Sequence, residues 1–485
     1  MSAADFEVAM PQITALPFQR QTILDVEQKF GGRALIANEM GLGKTPTSLW
    51  YIKRKTLGET LPLLIVCPKI VRHQWIATVR QILDCDVDVL ETRTPSFPST
   101  LAPVQIINYD IIAWWRDWLE DRGFQSMIID ECQMCTNPER KRTKTTIALM
   151  KAIPYALALS GTPLENRPIE LYPIIKALHP GSWPTKQRYG HKYCGPKYGY
   201  RGWDFSGASN TDELNVRLRQ TCMIRYRKQD VLHELPDKVR TMIPVELSDR
   251  EQYAMAQNDF IGWLRDNHPK RMSGAVRAAA LVKQGHLLRL AARLKLKQVV
   301  KYINAELEAK PDGKVVIFAI HKKCVAALKR RIACNSVVID GSTSQKNRQT
   351  ALQRFTDDAK TRAVIGNLAA AGRGLNLVEA NDAYMVELAQ KPGLLLQGED
   401  RIHRIGQEDT ARIHYFIGRG TIETTVSKML QKKQRNITTV LDGGTAEDEF
   451  ELYNMLMEEV GNEVARPSTR EQYPFLYRGR ASSRS

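Results

Sequence analysis

No apolar run in this 485-residue chain reaches the ~18–20 residues that cross a bilayer, so no membrane-spanning helix is expected. The N-terminal stretch from Met1 to Pro11 carries Asp5 and Glu7 and lacks the basic-then-apolar order of a signal peptide, which points to an intracellular protein. Cysteine is sparse and scattered, at 67, 85, 132, 135, 194, 222, 324 and 334. Only Cys132 and Cys135 have a metal-like gap, and no second pair or Cys/His partner follows at zinc-site distance. Reduced thiols are the expected state, without a structural metal. Acidic residues are the minority sign, 53 against 70 Lys and Arg, leaving a formal net charge of +17. Such a balance favours a polyanionic partner such as nucleic acid, because counterion release drives association; the alternative is a solvated basic surface with no dedicated partner.

What the chain does have is α/β alternation. It is too long for one core and suggests two to four domains. Leu63–Cys67, Val104–Ile107, Met127–Ile129 and Tyr155–Leu159 are short continuous apolar runs, as in parallel sheets covered on both faces. Residues 241–310 read as helical, with Arg277, Lys283, Arg289, Arg293, Lys295 and Lys297 spaced through them. A second series follows: Val315–Phe318, Val337–Ile339, Ala363–Ile365, Ala383–Val386 and Ile413–Phe416. Residues 447–463 then hold seven acidic groups and no Lys or Arg, with Phe450, Tyr453, Met457 and Val460 at helical spacing, and the last twenty residues are Arg- and Ser-rich. The expected division is an extension at 1–16, a first lobe at 17–240, a helical linker at 241–310, a second lobe at 311–442, and an acidic helix with a basic tail at 443–485.

The strongest chemical signal is Asn38-Glu39-Met40-Gly41-Leu42-Gly43-Lys44-Thr45, set between a strand-like Ala34–Ala37 and a helical pattern from Thr47. Strand, glycine-bearing turn and helix N-terminus make an anion cradle. Lys44 would neutralise β/γ-phosphates and Thr45 would ligate Mg²⁺. An ordinary glycine-rich turn is the alternative, since the strict pattern has Gly where Asn38 stands. Asp130 and Glu131 end a second apolar run, at the sheet edge where ligands of α/β folds gather. Asp130 could hold Mg²⁺ and Glu131 could deprotonate an attacking water; two acids ending a strand would be the plain reading. Within Gln397–Gln407, Arg401 and Arg404 are three apart, so a helical backbone would put both on one face, as a pair of arginine fingers or as an exposed basic pair.

Taken in order, these segments resemble Swi/Snf-type ATPase motors of the second helicase superfamily. The likeness runs from Pro17-Phe18-Gln19 through Asn38–Thr45, Cys67-Pro68-Lys69, Asp130-Glu131-Cys132-Gln133 and Ser160-Gly161-Thr162-Pro163. It continues through Asp340–Thr343, Gly372-Arg373-Gly374-Leu375-Asn376-Leu377 and Gln397–Gln407, covering roughly residues 15 to 440. Within that family Arg167–Tyr172, Arg188–Cys194, Gly202–Gly207 and Asp230–Pro236 are similar to the annealing-helicase, HepA-related branch.

The resemblance implies two RecA-like parallel-sheet lobes in tandem with helical insertions between them, and ATP with Mg²⁺ in the cleft. It implies that Gln19 reads the adenine, that Met40, Gly41, Leu42, Gly43, Lys44 and Thr45 hold phosphate and metal, and that Gly374 and Gln397 line the nucleotide site. Asp130 and Glu131 would be metal holder and base, and Arg401 and Arg404 fingers from the second lobe. Ser160, Thr162, Asn376 and Gln133 would couple hydrolysis to lobe movement. Lys69, Arg72, His73, Trp75 and Tyr109 would meet DNA phosphates.

The implied function is an ATP-dependent translocase on double-stranded DNA that remodels or anneals structures such as forks in replication, repair or recombination. It would work as a monomer on duplex or branched DNA, with replication or repair proteins as further partners. A remodeller of protein–DNA complexes, or a non-catalytic DNA-binding scaffold, are the competing readings. The location implied is the cytoplasm of a bacterium or phage-infected host, or a eukaryotic nucleus. Gln133 stands where the family usually has His, and Asn38 where it often has an acid. Only about sixteen residues precede Phe18, which leaves no room there for an accessory recognition domain.

Overall fold

The computed structural model describes residues 15–55, 57–95, 101–199, 202–266, 274–371 and 375–443. The acidic segment 447–463, the basic tail and Gly374 lie outside them.

Two parallel sheets carry the architecture. Strands are numbered in chain order. The first lobe holds β1 (Arg33–Ile36), β2 (Leu63–Cys67), β3 (Val87–Leu90), β4 (Val104–Asn108), β5 (Ser126–Asp130) and β6 (Tyr155–Leu159). A small antiparallel hairpin follows, β7 (Lys197–Gly199) and β8 (Gly202–Asp204), and β9 (Met223–Ile224) then completes the first sheet. Its order is β3-β4-β2-β5-β6-β1-β9. The second lobe contains β10 (Lys238–Val245), β11 (Val315–Ala319), β12 (Asn335–Ile339), β13 (Thr361–Asn367), β14 (Asp382–Met385) and β15 (Ala411–Gly418), in the order β10-β15-β14-β11-β13-β12. The central strands β2 and β11 are buried at every position, which is why they read as unbroken apolar runs rather than alternating ones.

The expected end of the first lobe at residue 240 falls within β10, which begins at Lys238 and pairs with β15 over eight positions. Its alternation is blurred and it contains Pro244, which an edge strand accommodates. Helices Arg250–Asp266 and Gly274–Ala309 pack on each other through Tyr253, Leu287 and Leu294. The second half of the longer helix adds Val299 and Ile303 to the core of the second lobe. Lys295, one of the spaced basic residues, is fully buried there and donates to Glu423 at 2.6 Å and to the Phe416 carbonyl at 2.7 Å.

The last described helix, Ile422–Asp442, ties the lobes together. Val426 and Leu430 enter the second-lobe core, whereas Ile437, Val440 and Leu441 enter that of the first.

Candidate nucleotide site between the lobes

The loop after β1 is shaped by two left-handed glycines, Gly41 (φ +85°) and Gly43 (φ +67°). The helix Lys44–Arg54 starts immediately afterwards, so its free N–H groups face the loop. Asn38 is buried and braces the turn: its Oδ1 accepts from Tyr226 N at 3.0 Å and its Nδ2 donates to Thr22 Oγ1 at 3.3 Å. Gln19 is buried too, with Nε2 donating to the Leu42 carbonyl at 3.2 Å; a Cβ on Gly43 would come within 2.5 Å of that nitrogen. Lys44 Nζ folds onto the carbonyls of Asn38 (2.8 Å) and Glu39 (3.1 Å). Burial lowers its pKa to about 8, against the pull of Glu131 and Asp130.

Asp130 closes β5 facing this loop. Trp75 Nε1 donates to Asp130 Oδ2 at 2.9 Å, and Tyr109 Oη donates to the Asp130 carbonyl at 2.6 Å. Burial, and then the charge of Glu131, raises the Asp130 carboxyl to about 7. Glu131 sits at φ +52°, a conformation that non-glycine residues adopt mainly where the surroundings impose it.

A hydrogen-bonded line leaves Glu131 and crosses to the second lobe. Gln133 Nε2 donates to Glu131 Oε2 at 2.6 Å, and Ser160 Oγ donates to Gln133 Oε1 at 2.7 Å. Ser160 Oγ then accepts from Thr162 N at 3.0 Å, and Gln397 Nε2 reaches Thr162 Oγ1 at 3.4 Å. An amide serves here because it donates at one end and accepts at the other.

From the second lobe, Arg401 donates to the carbonyls of Gln397 (3.0 Å) and Leu375 (3.1 Å) and lies 3.8 Å from Met40 Sδ. Burial, and then Arg404, lowers its pKa to about 10. Arg404 meets the same Leu375 carbonyl at 3.3 Å. The two arginines share a target but not a helix, because Pro392–Glu399 ends before either; the backbone there is a run of turns, which corrects the helical-face expectation. Lys44, Thr45, Asp130, Glu131, Asn376, Arg401 and Arg404 all border one cavity of about 830 Å³.

The five side chains expected at DNA divide. Lys69 and His73 are exposed beyond the C-terminal end of β2. Arg72 is buried and paired with Glu91 at 2.7 Å. Trp75 and Tyr109, each 1% exposed, point inward to Asp130 instead of outward; the Trp75 tip satisfies its carboxylate and the Tyr109 tip its backbone carbonyl, while their rings fill the core. Sequence reasoning missed Lys228 and Glu39. Glu39 Oε2 accepts from Lys228 N at 2.6 Å, and Lys228 Nζ donates to Asp400 Oδ1 at 2.7 Å. No local pattern marks a lysine whose partner lies 172 residues away.

Residues 21–298 match the SNF2-related domain, and residues 295–406 match the helicase conserved C-terminal domain. The chain belongs to the SNF2-related family. Among SNF2-family relatives, it is 32% identical over 433 residues to the SWI/SNF-related matrix-associated actin-dependent regulator of chromatin subfamily A-like protein 1 of Xenopus tropicalis. That match covers 86% of this chain and 44% of the relative. It is 30% identical over 446 residues to the human DNA annealing helicase and endonuclease ZRANB3, covering 88% of this chain and 40% of that one. The chain thus spans less than half the length of these SNF2-family relatives.

Proposed function

We propose that the chain is a DNA-stimulated ATPase that moves along double-stranded DNA and remodels or anneals branched structures such as forks. The observation that carries this is the meeting of Lys44, Asp130 and Glu131 from one lobe with Arg401 and Arg404 from the other around a single cavity. A site divided in this way makes hydrolysis depend on how the lobes sit.

Lys44 and the N–H groups opening the helix at residue 44 would hold the β/γ-phosphates. Glu131 would orient and deprotonate the attacking water. Arg401 and Arg404 would oppose charge on the transferred phosphoryl. Thr45 and Asp130 offer the hard oxygen ligands that Mg²⁺ takes, and a half-buried carboxylate pair with Asp130 raised to about 7 is a site short of positive charge. When bound, Mg²⁺ supplies that charge against the phosphoryl oxygens. The line Glu131–Gln133–Ser160–Thr162–Gln397 would report the state of the base to the second lobe. Gly374 and Asn376 would link nucleotide and DNA across the cleft.

Lys69 and His73 remain as the exposed DNA-contact candidates of the first lobe, suited to phosphates rather than to sequence. The name of one relative, a DNA annealing helicase, supports the annealing of DNA as part of this activity. Duplex or branched DNA would be the partner of a monomeric motor, together with replication or repair proteins. Among the described residues no helix is long and apolar enough to cross a membrane.

The test compares ATP hydrolysis with single-stranded, duplex and forked DNA, in wild type and Glu131→Gln. Stimulation by DNA, lost in Glu131→Gln while ATP still binds, is expected. A wild type that no DNA stimulates would sink the motor reading.

A further inference from the structure

The β7–β8 hairpin has no part in the nucleotide site, yet it presents aromatic surface to solvent. Tyr198 and Trp203 are directly opposite each other across the hairpin, 75% and 46% exposed, with ring centroids 5.1 Å apart and nearly perpendicular. The His191 ring stands behind Trp203 at 4.3 Å, and Phe205 lies 5.3 Å from His191. The ladder therefore runs outward, His191 to Trp203 to Tyr198, with its last members uncovered.

Its root is firmly built. Phe205 packs so closely on Gly190 that a Cβ there would fall 2.7 Å from the ring. Gly195 N donates to Ser209 Oγ at 2.9 Å, Ser209 N to the Tyr193 carbonyl at 3.0 Å, and Asn210 Nδ2 to the Lys192 carbonyl at 2.7 Å. Cations surround it: Lys186, Arg188 and Lys197 are exposed, and Lys192 is paired with Glu213 at 2.6 Å. The carboxylate of Asp204 is taken up by Ser206, at 2.9 and 3.0 Å.

The helices that flank the hairpin tie it to the sheet of the first lobe at β1. The helix Tyr172–Leu178 leads to His179, which meets the Arg33 carbonyl at 2.6 Å, at the N-terminal end of β1. The helix Thr211–Thr221 returns to that region, since Leu35 N donates to the Cys222 carbonyl at 2.7 Å and β9 runs parallel to β1. The hairpin belongs to the excursion between these two helices, both of which are anchored at β1, the strand that leads into the phosphate loop.

We propose that this hairpin is a base-stacking platform that grips an unpaired or junction nucleobase of branched DNA, an inference resting on the DNA-motor reading above. Exposed aromatic faces among cations are what single-stranded nucleic acid binds, phosphates to the cations and base faces to the rings. Within an intact duplex each base face is covered by its neighbours. Only an end, a gap or a fork offers one, so the platform distinguishes branched DNA from continuous duplex.

The experiment uses the whole chain and two DNAs, a closed circular duplex without ends and a fork bearing a fluorescent purine analogue at its junction. Wild-type protein should quench the analogue by stacking, without ATP. Trp203→Ala and Tyr198→Ala should abolish quenching and weaken fork binding roughly tenfold, the order set by one lost stacked base, while leaving duplex-stimulated ATPase unchanged. Trp203→Phe should keep both quenching and affinity. Tyr198→Ser guards against misfolding, because that side chain is mostly solvent-exposed and its removal should leave thermal stability intact. No quenching in the wild type, or equal loss on fork and duplex, overturns the platform. Quenching without DNA-stimulated ATPase would uphold it and reject the motor.

Discussion

Lys228 and Asp400 form a buried ion pair across the lobes, 2.7 Å apart, with side chains 4% and 6% exposed. Asp400 immediately precedes Arg401, and the backbone of Lys228 is held by Glu39 of the phosphate loop. Although burial acts to raise it, Lys228 keeps the Asp400 carboxyl below its ordinary range. Burying two charges gains little overall, but removing one leaves the other stranded, at about 3–5 kcal/mol. Lys228→Met should cost toward the lower end, because Lys238 at 3.7 Å still faces Asp400. Adding Asp400→Asn should recover much of the loss. Denaturant unfolding of the single and double variants checks this; additive losses would mean that the pair is not coupled.

Gln133 should matter to turnover more than to nucleotide affinity. Among the described residues it alone bridges Glu131 to Ser160, from which the line continues to Thr162 and Gln397. Gln133→Leu keeps the volume and removes both bonds. With Glu131 then free to swing, kcat should fall about tenfold, the worth of one hydrogen bond to a charged group, at nearly unchanged KM. Steady-state ATPase kinetics decide; an unaltered kcat would show that the bridge is only structural.

What the sequence made legible here was whatever chemistry is written locally. The phosphate loop, the acids ending β5 and the apolar strands depend on neighbours a few residues away, so pattern reading reaches them. Trp75 and Tyr109 escaped because an aromatic with a polar tip reads the same whether its ring faces DNA or the core; the partner that decides, Asp130, is 55 residues from one and 21 from the other. The Arg401–Arg404 spacing suggested a helical face, yet turns bring both guanidiniums to the Leu375 carbonyl. The helix Ile422–Asp442 reads as an ordinary amphipathic element. That its two ends belong to different cores is a property of the assembled lobes, not of its periodicity.

That helix gives a third prediction. Arg225 Nε meets Asp442 Oδ1 at 2.8 Å and its Nη2 meets Oδ2 at 3.2 Å, both residues nearly buried. Nη1 of Arg225 also donates to the carbonyls of Ala37 (2.7 Å) and Gly161 (3.0 Å), beside the phosphate loop. Asp442→Asn removes the charge and leaves the guanidinium its carbonyl partners. The loss should be about 2–3 kcal/mol, less than for a fully stranded ion. It should appear as a lower thermal midpoint and as faster proteolysis near residue 442. A midpoint equal to wild type would show that the helix end contributes no hold on the first lobe.

His403 should set the acid side of the stability profile. Its Nε2 meets the Pro236 carbonyl at 2.9 Å and therefore carries the proton, while its buried Nδ1 has no partner among the described residues. Protonation would place a charged N–H where no described residue accepts it. Burial, followed by Lys238 and Lys228, moves the ring from 6.5 to about 4. The unfolded chain takes up this proton near pH 6.5 and the folded one only near pH 4. Stability is therefore intact above pH 6.5 and declines as pH falls toward 4, by at most about 1.4 kcal/mol per pH unit for one group. Arg240 and Lys238 hold Glu399 well below its ordinary 4.5 despite its burial, so its contribution is lost only at lower pH. His179 is lowered as well, so the decisive comparison is with His403→Gln, whose amide can still donate to Pro236. Thermal midpoints stepped from pH 7 to 4.5 should fall less steeply in the variant. Parallel profiles would mean that His403 is not the group that titrates.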